Sequence, residues 1–102
     1  MDIADATRIS KQVSDIYAAR CGINRDDFWY LAKMQEELGE LTAVYLSQTG
    51  RGRDRGEPPE ALAHELADLF AQLLLFADHN GIDVPSALMS KWGRYLPAQA
   101  DG

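Results

Sequence analysis

Apolar side chains recur at helical spacing along this chain, and no stretch alternates apolar with polar as a half-buried strand must. That one period confines the chain to an all-α fold. A first helix is expected from about Asp5 to Arg20, with Ile9, Val13, Ile16 and Tyr17 on one face and Gly22 beyond its end. Asn24, with Asp27 three residues on, reads as the N-cap of a second helix from about Arg25 to Gln48. Phe28, Leu31, Leu38, Leu41 and Tyr45 form its stripe, and Gly50 is placed to end it. Residues 51 to 59 are charged, glycine-rich and aperiodic, hence a loop. Pro58 or Pro59 should open a third helix carrying Leu62, Leu66, Leu69, Phe70, Leu73 and Phe76, which ends near Asn80-Gly81. Asp83 should cap a short fourth helix running to about Trp92, followed by a tail, 97–102, expected to fray. The expectation is one domain, an antiparallel bundle of about four helices. Leu46, Leu74 and Leu75 fall outside the inner stripes, and apolar surface of that kind calls for a partner. The smallest expected assembly is a homodimer.

Charge narrows the partners. Sixteen acidic residues against ten basic give a net charge of −6, a poor match for nucleic acid or an anionic membrane, both of which need clustered Lys and Arg. The single Cys21 excludes an internal disulfide and a Cys-rich zinc site. The longest apolar run, Leu73 to Ala77, is too short to span a bilayer. A cytoplasmic location is expected.

The acids are not scattered evenly. Glu37-Leu38-Gly39-Glu40-Leu41 in the second helix is echoed by Glu65-Leu66-Ala67-Asp68-Leu69 in the third. At about 100° per residue, each helix sets two carboxylates one turn apart beside its apolar stripe. Packed together, the two pairs can converge on one cleft, with Gly39 and Ala67 leaving room for an ion. Most acid pairs at this spacing are simply solvated, but solvated acids usually acquire Lys or Arg four residues away. Here Glu37 has Lys33, whereas Glu40 has Glu36, Glu65 has Ala61 and Leu69, and Asp68 has His64 and Gln72. Carboxylates gathered without cations repel one another unless a metal joins them, and oxygen-only ligation suits Mg²⁺ or Mn²⁺ rather than zinc.

Glu36-Glu37-Leu38-Gly39-Glu40 followed by Glu65-Leu66-Ala67-Asp68 resembles the EExxE…ExxD signature of the MazG-like, all-α nucleoside triphosphate pyrophosphohydrolases. The stretch from Asp83 to Lys91 is similar to that family's fourth helix, so the resemblance covers about three quarters of the chain. It implies Mg²⁺-dependent cleavage of a nucleoside triphosphate to the monophosphate and pyrophosphate, with Glu37, Glu40, Glu65 and Asp68 as metal ligands. It also implies a dimer, or a tetramer built from dimers. Glu36 would accept the proton of the attacking water, or serve as a supporting acid. Lys91 and Arg94 would contact phosphate oxygens, although Trp92-Gly93 stands where relatives often carry an Asn. Trp29 either stacks on the base or packs in a subunit interface, and Arg51, Arg53 and Arg55 read as a solvated loop before a phosphate clamp. Phosphoribosyl-ATP pyrophosphohydrolases of the same superfamily carry a Tyr-His pair where this chain has Gln72-Leu73, which disfavours that branch. A non-catalytic helical dimerisation or regulatory module retaining the fold is the competing reading.

Overall fold

The caps decide where each helix begins. The computed structural model describes residues 1–98, and the tail expected to fray lies, from position 99 onward, outside the described residues. Helix α1 (Ile3–Cys21) starts at Asp2, whose carboxylate accepts the Asp5 N–H while the Asp5 carboxylate accepts the Asp2 N–H. It stops at Gly22, which takes the left-handed conformation (φ 63°) that a side chain would disfavour. Helix α2 (Asp27–Gln48) is capped by Asp26 rather than Asn24: the Asp26 backbone is extended and its Oδ1 accepts the Trp29 N–H at 2.8 Å. Helix α3 (Ala61–His79) begins after the prolines, not at them. Pro58 precedes a proline and is therefore held out of the helical region, so the pair makes a turn in which Ala61 N–H donates to the Pro58 carbonyl. Asp83 caps α4 (Val84–Trp92), as expected, and a 3₁₀ turn follows over Gly93–Tyr95.

The described chain is thus all-helical, with four α-helices packed together. Helix α3 is central: α2 packs along it most extensively and α1 adds a second contact. Polar side-chain contacts mark those seams. Lys11 on α1 meets Asp78 on α3 at 3.1 Å, and His79 Nε2 at the end of α3 lies 2.7 Å from Asp27 Oδ1 at the start of α2. Arg25 ties the α1–α2 connection by reaching Asp15 (2.8 Å) and the Ser14 hydroxyl (2.9 Å). The 51–59 loop is held at the end of α2, where the Ser47 hydroxyl accepts the Arg55 N–H and Gln48 donates to the Pro58 carbonyl.

The core departs from the expected stripes. Its buried members are Ala18, Val44, Leu74, Leu75 and Ala77, with Ser14 and Ser47 beside them. Leu74 and Leu75, expected outside the inner faces, are among the most buried residues, because α3 is flanked by two helices and buries a wider arc than one stripe. In contrast, Ile9, Val13, Ile16 and Tyr17 on α1, Phe28, Leu31, Leu38 and Tyr45 on α2, and Leu66 and Phe70 on α3 remain exposed, and Leu46 is exposed as expected. Helix α4 has no buried residue and packs chiefly on its own 3₁₀ turn, leaving Leu88, Met89, Trp92, Tyr95 and Leu96 open. The radius of gyration is 17.1 Å, where a compact chain of this length measures about 13 Å. Among the described residues, no helix is long and apolar enough to cross a membrane.

Candidate metal centre and adjoining cleft

The echoed acids meet where α2 and α3 face each other. Glu37 from α2 and Glu65 and Asp68 from α3 each bring one carboxylate oxygen within 4.8 Å of the others. Glu37 and Glu65 are half-buried and Asp68 is exposed, so the group is anchored on the bundle and open to solvent. The i,i+3 spacing brings both acids of α3 into the group. Of the two α2 acids only Glu37 belongs to it, and Glu40, a turn along, stays exposed outside. Gly39 does not clear the space, since a Cβ there would meet nothing within 4 Å. Ala67 does line the adjoining cleft.

The electrostatics follow from crowding. Burial, reinforced by the Asp68, Glu36 and Glu65 carboxylates and opposed by Lys33, pushes the Glu37 carboxyl above its ordinary value. Lys33 does not neutralise the group: its ammonium sits 2.7 Å from Glu36 and 4.0 Å from Glu37. Burial works against that ammonium, but the Glu36 hydrogen bond, the Glu36 charge and Glu37 together raise it above the usual lysine value. Glu36 therefore stands apart from the three gathered acids, with an exposed carboxylate held by Lys33.

A cleft of about 540 Å³ runs from these acids between α1, α2 and α3. Glu37 and Asp68 belong to its lining, Lys33 and Trp29 contribute from α2, and Ile9, Val13 and Tyr17 contribute from α1. Trp29 meets Tyr30 edge-on at 5.1 Å and has the Lys33 ammonium 5.9 Å from its ring centre. Tyr30 itself is stacked on His79, and Phe28 faces solvent, so Trp29 is the aromatic of the Phe28-Trp29-Tyr30 run that reaches the cleft.

No family model, curated protein or solved structure matches this chain. The chemistry of the site must come from its own residues. Three carboxylates sharing a few ångströms, with their one nearby ammonium turned toward a fourth acid, form an oxygen-only donor set that fits a hard divalent cation.

Other residues singled out in the sequence lie elsewhere. Lys91 on α4 and Arg94 in the 3₁₀ turn do not line the cleft, and Arg94 donates to the Tyr95 hydroxyl at 2.9 Å with its guanidinium over that ring. Their helix packs chiefly on its own turn. Of the loop arginines, Arg55 pairs with Glu57, and Arg51, Arg53 and Arg55 all stay out of the cleft. Asn80 closes α3 by donating to the Phe76 carbonyl, which makes it a helix-end residue. Gln72 has no counterpart among the candidates. It lines the cleft one turn beyond Asp68, and its Oε1 is buried without a hydrogen-bond partner. A lone amide inside the apolar run from Leu69 to Ala77 was its signal in the sequence.

Proposed function

We propose that this chain is a Mg²⁺-dependent nucleotide pyrophosphohydrolase of the MazG-like kind, cleaving a nucleoside triphosphate to the monophosphate and pyrophosphate. The supporting observation is the convergence of Glu37, Glu65 and Asp68, from two helices, beside a cleft that Glu37 and Asp68 help to line. These three would hold Mg²⁺, or Mn²⁺ in its place, with Glu40 as the fourth acid of the resemblance. The ion, when bound, neutralises triphosphate charge and acidifies a water. The water oxygen bonds to phosphorus as the α–β bridging P–O bond breaks, and one water proton passes to a carboxylate. Glu36 is the acceptor the resemblance suggests. Because Lys33 holds Glu36 at 2.7 Å, that role requires the ammonium to turn away, toward the phosphates at the same end of the cleft. Phosphate contacts from Lys91 and Arg94 require α4, of this copy or another, to approach the acids.

The antiparallel order of α2 and α3 belongs to this reading, supported by the Asp27–His79 pair that joins the start of one to the end of the other. So does a homodimer, or a dimer of dimers. The chain exposes 7756 Å², about 2,000 Å² more than a monomer of its mass, which should expose about 5,700 Å². That excess matches what one subunit buries in an obligate interface.

The test is pyrophosphate release from a panel of canonical and modified ribo- and deoxyribonucleoside triphosphates with Mg²⁺. Turnover of at least one substrate is expected, falling to background in Glu37→Gln and Asp68→Asn, which remove a ligand charge at nearly constant volume. Wild-type turnover in either variant overturns the assignment. The exposed apolar faces favour a second reading, a non-catalytic assembly module, and a melting temperature indifferent to Mg²⁺ would select it.

A further inference from the structure

Gln72 is out of place in an apolar helix segment. It sits four residues beyond Asp68 and therefore on the same face of α3, one turn along the cleft. Leu73 and Phe76 around it are half-buried, and Leu74, Leu75 and Ala77 are core. Its Oε1 is buried with no hydrogen-bond partner. An unpaired buried acceptor is destabilising, and packing alone gives no reason to carry one, since Leu or Met would fill the same volume. The amide is also uncommitted, so it can turn into the cleft without breaking a protein hydrogen bond.

The walls around it specify what it would meet. Besides Glu37, Asp68 and Lys33 the lining includes the Ser10 and Ser14 hydroxyls, but Ile9, Val13, Tyr17, Trp29 and Leu75 give it apolar walls that accept a flat body. An amide adds one acceptor and two donors in a plane. A ligand that satisfies both is a planar ring with an N–H beside an acceptor on one edge, tethered to an anionic group that reaches the acid end through a cation. A nucleobase carried on a phosphorylated sugar has that form.

We propose that the cleft seats the nucleobase of the substrate, and that Gln72 is a specificity-determining residue that reads the pairing edge of that base. The inference rests on the pyrophosphohydrolase reading for the location of the phosphates. Oε1 would accept the N–H of the base while the amide N–H₂ donates to the adjacent oxygen or nitrogen. Amino bases offer the N–H from the exocyclic amine, and keto bases offer it from the ring.

Calorimetric titration with Mg²⁺ present tests this, using CMP, UMP, AMP and GMP against ribose 5-phosphate, which has the tether without the base. At least one monophosphate should bind about tenfold tighter than ribose 5-phosphate, and Gln72→Leu should remove that advantage while leaving ribose 5-phosphate binding and the Mg²⁺-induced melting shift unchanged. Gln72→Glu, with acceptors only, should shift preference toward GMP, whose ring N–H and exocyclic amine lie side by side as donors, over CMP, UMP and AMP, a change of rank that a packing role would not produce. Equal binding of ribose 5-phosphate and all four monophosphates overturns the proposal, as does an unchanged base ranking in both variants. The outcomes separate the two readings. Mg²⁺ response and pyrophosphate release with Gln72 variants unaltered defeats the role of Gln72 alone. Loss of the Mg²⁺ response and of turnover in the wild type defeats the pyrophosphohydrolase reading itself.

Discussion

At the scale of single residues, Glu37 is where stability and the proposed chemistry oppose each other. Its carboxyl is held above its ordinary value, first by burial and then by its acidic neighbours. A folded-state value above the unfolded one means that the native chain binds this proton more tightly. The associated stability is therefore complete below the ordinary carboxylate range and is lost as pH rises through the raised value. Without metal, the ionised group at neutral pH works against the fold. Glu37→Gln is accordingly expected to raise the melting temperature of the metal-free protein at pH 7, to have little effect at pH 4, and to erase the gain that Mg²⁺ gives the parent chain. Scanning fluorimetry at both pH values, with Mg²⁺ and with chelator, checks all three. A variant less stable than the parent without metal would show that Glu37 serves packing rather than ligation. The burial that acts first shows only in the fold. Part of this tension was legible in the sequence, because Glu65 has no basic residue four positions away and Asp68 has only His64. The tether between Lys33 and Glu36 was not, since a lysine at that position can reach i+3 or i+4 and only side-chain packing selects between them. Gln72 was visible as a lone amide in an apolar segment, but that it lies unpaired beside the acids shows only once the helices pack.

At the scale of elements, helix existence was written in the periodicity, and helix starts were written less clearly. Asn24 and Asp26 both precede acidic residues and both are good caps by type, so composition does not separate them. The backbone does. The Arg25 side chain is drawn back toward α1 by Ser14 and Asp15, residues 23–26 are not helical, and the Trp29 N–H meets the Asp26 carboxylate. Asp26→Ala should then cost about 1 kcal/mol of stability in urea unfolding, whereas Asn24→Ala should fall within about 0.5 kcal/mol of the parent. Equal losses would return the cap to Asn24. The interior followed a different logic from the stripes. Periodicity identifies an apolar face but not how many neighbours that face meets. Leu74 and Leu75 are core because α3 has partners on two sides, while Ile16 and Leu38 stay open and Val13 only borders the cleft.

At the scale of the whole molecule, those unmet faces become the dominant feature. The surface is about 2,000 Å² larger than that of a monomer of equal mass. The apolar side chains left open include Ile16 on α1 and, on α4 and its turn, Leu88, Trp92 and Tyr95, all more than half exposed. Exposed apolar faces of this kind usually meet a partner, and a second copy is the occupant that can be tested directly. Light scattering should therefore return twice or four times the 11.3 kDa chain mass, and the melting temperature should rise with protein concentration, because the folded protomer and its partner stabilise one another by mass action. Ile16→Glu tests the source of that association. It places a charge on an exposed face outside the acid cleft, so a monomeric chain would tolerate it at a cost within about 0.5 kcal/mol. In an assembly it would bury an unpaired carboxylate, lowering the mass and abolishing the concentration dependence. A parent chain that runs at its monomer mass at every concentration, with the same melting temperature in Ile16→Glu, would show instead that the open arrangement of α4 is stable alone. The catalytic reading is coupled to this result. Lys91 lies on the helix that most lacks a partner, so assembly is the step that would decide whether it meets the acids.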